Sequence, residues 1–129
     1  MKSTAERLEN ALAALADRTR LRLLNLMSDG EVCVCFFVEV LDQPQPKISR
    51  HLGFLRHAGL VTARREGKWM HYSIAMPEHP TVQRIFQQTL AALGADPEMQ
   101  RDRSALKKVC CSSRAPDVLK RAPKPAAAV

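Results

Sequence analysis

Two prolines, Pro44 and Pro46, pin a helix start near the middle of the chain. A proline ring lacks an N–H and collides with the preceding turn, so it is excluded from a helix interior yet tolerated in the first turn. The stretch PQPKISRHLGFLRHAGL therefore reads as a helix that begins near Pro44 or Gln45 and is terminated by Gly59. Ile48, Leu52 and Leu55 form its inward stripe. Gln45, Lys47, Ser49, Arg50 and His51 lie off that stripe, toward the amino end, and stay free for a ligand. The next segment narrows the choice of fold further, because LVTARREGKWMHYSI is two short β-rich runs around EGK, a hairpin with glycine at its turn.

The rest of the chain is mostly helical. Leu8, Ala11, Leu12 and Leu15 recur at helical spacing behind Ser3 or Thr4 as possible caps, Asp17 marks a break, and RTRLRLLNLM forms a second helix ending at Gly30. EVCVCFFVEVLD reads as a strand, or as a strand-like lead-in to a short third helix. Val82, Ile85, Phe86, Leu90 and Leu93 define a helix stopped by Gly94, ADPEMQRDRSALKKV is a weak helix, and the rest of the carboxyl terminus is rich in Pro, Ala and Lys. With 129 residues there is room for one modest core. The expected fold is mainly α with a small β-hairpin, a winged helix-turn-helix over residues 1–94, followed by a partly disordered extension over 95–129.

A net charge of +7 points to a polyanionic partner, and the basic excess falls after Asp42. In this architecture a single helix fills the DNA major groove while the ribbon reaches the flanking backbone or minor groove. The side chains placed to read and neutralise DNA are Gln45, Lys47, Ser49, Arg50 and His51 on the helix, with Arg64, Arg65 and Lys68 around the hairpin tip. Charges interrupt the amino terminus throughout, and no apolar run approaches the roughly 20 residues a bilayer span needs, so no membrane association and a cytoplasmic location are expected. There thiols are normally reduced, which favours metal binding or redox sensing over a disulfide framework for the four cysteines. No convergent acid–base set, phosphate loop or cofactor fingerprint suggests an enzyme.

Cys33 and Cys35 stand one residue apart in EVCVC. They read as buried small side chains, as half of a disulfide, or as part of a soft-metal clamp. On a regular helix residues i and i+2 point about 200° apart, so both can hold one ion only if the chain there is non-helical or distorted. Cys110 and Cys111 are adjacent and lie just after the weak helix. His79 reads as a capping or surface residue.

QPKISRHLGFLRHAGLV followed by RREGKWMHYSI resembles the recognition helix and wing of the ArsR family of small metal-responsive repressors, and the likeness extends from roughly Leu8 to Leu93. EVCVC resembles the ELCVC signature that opens the third helix in the arsenite-sensing branch. The resemblance implies a homodimer held by its first and last core helices, a palindromic double-stranded operator, and repression relieved by As(III) or Sb(III). It implies Cys33 and Cys35 as soft-metal ligands. A third thiol present in some arsenite sensors is replaced by Val38. Cys110 and Cys111 match by position the region where other members carry inducer-binding cysteine pairs. A thiol-based redox or reactive-sulfur sensor of the same fold is the alternative.

Overall fold

The computed structural model describes residues 2–111 and 122–125, the Cys111 side chain excepted. α1 (Thr4–Leu15) starts where Ser3 Oγ accepts the Glu6 N–H, and α2 (Arg18–Leu26) starts where Asp17 Oδ2 accepts the Arg20 N–H at 3.0 Å. The break expected at Asp17 is thus an N-cap. β1 (Val32–Cys33) leads directly into α3 (Val34–Leu41), which closes on Asp42 in the left-handed region at φ 51°. Asp tolerates that conformation better than most residues, and it turns the chain sharply toward the next helix.

α4 (Gln45–His57) begins at the prolines as expected, with Pro44 as N-cap and Pro46 in the first turn. Ile48, Leu52 and Leu55 are fully buried. Gly59, at φ 80°, releases the chain into β2 (Val61–Glu66), and Gly67, at φ 60°, makes the two-residue turn into β3 (Trp69–Ile74).

The sheet has three strands rather than the two of the expected hairpin. β1 pairs antiparallel with the free edge of β3, with Val32 opposite Tyr72 and Cys33 opposite His71, giving the order β1-β3-β2. An unpaired strand edge carries unmet backbone groups, and two residues of β1 are enough to satisfy part of it.

α5 (Pro80–Gly94) is capped by His79, whose Nδ1 accepts the Thr81 N–H at 3.3 Å. α6 (Pro97–Cys111) lies against α2 and α3. Aromatic residues are scarce, yet Phe36, Phe37 and Phe86 are all fully buried among Leu23, Leu24 and Leu55. Among the described residues no helix is long and apolar enough to cross a membrane.

Candidate functional site: recognition helix, wing and thiol pair

α3, the turn at Asp42 and α4 form the helix-turn-helix, and the β2–β3 ribbon forms the wing. Along α4, burying Ile48, Leu52 and Leu55 forces the opposite face outward, so Gln45, Lys47, Ser49 and Arg50 are exposed. His51 differs. Its side chain is only 17% exposed, Nδ1 lies 3.3 Å from Arg20 Nη1 and 3.7 Å from Asp17 Oδ2, and burial pushes its pKa down. On the wing, Arg65 and Lys68 project freely into solvent, with Lys68 Nζ 5.0 Å from the Trp69 ring centre. Arg64 is also half-exposed but is gripped by Glu31, at 2.6 and 3.1 Å.

Sequence reasoning missed Arg20, which organises the base of α4. Its guanidinium donates to the Ala14 and Ala13 carbonyls at 2.8 and 3.0 Å, closing the end of α1, and stacks 4.2 Å over the exposed Phe54 ring of α4. The only signal in the sequence is a cation off the apolar stripe of RTRLRLL, which looks like an ordinary solvated charge.

The thiol pair sits just ahead of this module. Cys33 is the N-cap of α3 with extended backbone, φ −73° and ψ 141°, while Cys35 is the second residue of the helix. That change of backbone at Cys33 removes the half-turn divergence of a regular helix, and the two sulfurs come to 3.2 Å. Cys33 is fully buried and Cys35 partly exposed, so an ion would approach from the Cys35 side.

Their protonation is unequal. A hydrogen bond from the Cys35 thiol holds the Cys33 thiol down at about 6 against burial, helped by the Cys35 and Val34 N–H groups and by His71. The same interaction, together with burial, pushes Cys35 up. One thiolate and one thiol are therefore poised side by side near neutral pH.

With metal–thiolate bonds of about 2.3 Å, as for zinc, sulfurs 3.2 Å apart are within the span of one ion. Among the described residues no group of three His, Cys, Asp or Glu is placed to hold a metal. Cys110 is buried at the end of α6 with its sulfur in a disulfide, and Cys111 ends the same helix with its side chain outside the described residues.

Residues 17–63 match the arsR family of bacterial regulatory proteins. Over 62 residues the chain is 55% identical to the arsenical resistance operon repressor of Escherichia coli, a match covering 47% of this chain and 53% of that protein. It is 44% identical over 81 residues to an arsenic resistance transcriptional regulator of Pseudomonas putida, covering 61% of this chain and 70% of the relative. The chain spans about half the length of several of the curated relatives it matches. Its fold is similar to that of HlyU from Vibrio cholerae, with a TM-score of 0.60 and 26% identity over 71% of this chain and 97% of that one.

Proposed function

The chain belongs to the arsR family of bacterial regulatory proteins, and we propose that it is a DNA-binding repressor released from its operator when Cys33 and Cys35 capture trivalent arsenic. The observation that carries this reading is the approach of the two sulfurs to 3.2 Å at the start of α3, the helix joined to α4 by the tight turn at Asp42. Relatives named as arsenical resistance repressors support the choice of inducer.

In this reading two chains pair, and Leu12, 50% exposed on α1, lies in the seam between them. The paired α4 helices then sit about one turn of DNA apart, roughly 34 Å. Gln45, Ser49 and Arg50 face base edges and phosphates, while Lys47, Arg65 and Lys68 neutralise the backbone. Capture of As(III) replaces the hydrogen bond between Cys33, held in the sheet, and Cys35, held in the helix, with two arsenic–sulfur bonds, and so resets their spacing and shifts α3 against the wing. Antimonite has the same soft character and the same claim on the two thiolates. A third donor comes from water, a small thiol, or one of Cys110 and Cys111, with Cys110 reduced.

Direct capture is tested by arsenic–sulfur absorption on titrating the reduced protein with arsenite. The wild type gives one equivalent at Cys33 and Cys35, which persists in Cys110→Ser/Cys111→Ser; a signal that vanishes in that variant instead moves the site to α6.

A second reading rests on the same pair, because a thiolate beside a thiol is also set for two-electron oxidation to a disulfide by a peroxide. Release by hydrogen peroxide, with no release by arsenite under reducing conditions, selects it.

A further inference from the structure

Arg64 faces away from the role its sequence position suggests. Its Nη2 and Nε grip the two oxygens of Glu31 at 2.6 and 3.1 Å, and its Nη1 lies 3.6 Å from Glu66. Glu31 stands two residues before Cys33, immediately ahead of β1, whereas Arg64 and Glu66 belong to the wing strand β2. Between them lies His71 on β3, opposite Cys33 in the sheet and 4% exposed. Its Nδ1 is 3.7 Å from Glu31 and its Nε2 is 3.4 Å from Glu66, and the buried Nε2 makes no hydrogen bond. The lead-in to the thiol pair is thus tied to the wing twice, by two residues of strand pairing and by this cluster.

We propose that the Glu31–Arg64 pair is the strut through which occupation of the thiol pair is read at the wing, so that Glu31 and Arg64 position the wing and neither acts as a DNA contact. The proposal rests on sensing at Cys33 and Cys35. A two-pronged guanidinium–carboxylate contact fixes both distance and orientation, and it opens rather than stretches when one end moves. An ion taken between Cys33 and Cys35 replaces the hydrogen bond that now holds their sulfurs at 3.2 Å and resets that spacing, which moves β1, and Glu31 travels with β1. Opening the fork then lets the wing turn, which supplies the two discrete arrangements that coupling between sites requires. Sequence reasoning could not see this, because Glu31 and Arg64 are far apart in the chain and each alone resembles a surface charge.

The test uses reduced full-length protein, with Glu31→Gln, Arg64→Gln and the double variant. Two quantities are read: arsenic–sulfur absorption, and operator affinity with and without arsenite. All three variants are expected to capture arsenite as the wild type does, while each single change shrinks the arsenite-induced loss of operator affinity by about threefold or more. The double variant loses no more than either single, because one pair is broken in all three. A Glu31→Gln protein that responds to arsenite like the wild type overturns the strut. So does an Arg64→Gln protein that alone binds operator less tightly with a shallower salt dependence, which makes Arg64 a phosphate contact. If the wild type itself shows no arsenic–sulfur absorption at Cys33 and Cys35, the sensing proposal falls first and the strut with it.

Discussion

Cys33 and Cys35 differ in role because their surroundings differ. Cys33 is buried on a strand and accepts the hydrogen bond of the Cys35 thiol, which pulls its pKa down to about 6, while the same bond and burial push Cys35 up. A thiol held down at about 6 is mostly thiolate above that pH and is protonated below it, so arsenite capture is expected to slow as the pH falls through about 6. Cys35→Ala removes the donor, and the Cys33 midpoint then moves up toward the ordinary thiol value of about 8.5. Ultraviolet thiolate absorbance during a pH titration, in a background with Cys110 and Cys111 changed to serine, reads that midpoint. An unmoved midpoint would show that burial and the helix start, not the Cys35 thiol, set the acidity. His51 shows at the same scale how neighbours define a side chain: its ring lies against Asp17 and Arg20, which ties the start of α2 to α4.

At the scale of elements, α6 is fastened to α2 through polar groups as much as through packing. Arg22 makes a two-pronged contact with the nearly buried Asp102 at 2.8 and 3.0 Å, and the fully buried Asn25 is satisfied on both sides, by the Met99 carbonyl and by Arg103, each at 2.8 Å. Removing Asp102 takes away both hydrogen bonds of the partly buried Arg22. Asp102→Ala is therefore expected to cost about 2 kcal/mol, seen as a lower urea midpoint with an unchanged slope; a midpoint equal to the wild type would place α6 outside the cooperative unit. These contacts explain why some elements were legible in the sequence and others were not. α4 was bounded by Pro44, Pro46 and Gly59 because those residues act locally, and Ile48, Leu52 and Leu55 announce its buried face by spacing alone. α6 read as a weak helix because its partners on α2 lie far away in the chain and its apolar stripe is short. β1 was legible only as a possible lead-in, since a two-residue strand exists by virtue of the edge of β3. The close approach of Cys33 and Cys35 depends on that strand, so spacing suggested the pair while the tertiary fold sets its geometry.

For the whole molecule, Lys47 and Arg50 on α4 and Arg65 and Lys68 on the wing are exposed, while the thiol pair lies at the junction of the sheet and α3. That junction adjoins both the wing strand β3 and, through the turn at Asp42, α4, so no long route between the proposed sensor and the proposed DNA contacts is needed. By linkage, whatever weakens DNA binding when arsenic is bound must weaken arsenic binding when DNA is bound, by the same factor. Serine keeps nearly the shape of cysteine but is a poor ligand for a soft ion, which separates sensing from DNA binding. The most direct measurement is fluorescence anisotropy of a labelled operator titrated with arsenite under reducing conditions, for the wild type and for Cys33→Ser/Cys35→Ser. Both proteins are expected to bind operator with affinities within about threefold before arsenite is added. Arsenite is then expected to release the wild type alone. A double-serine protein that arsenite still releases as readily as the wild type would contradict sensing at this pair.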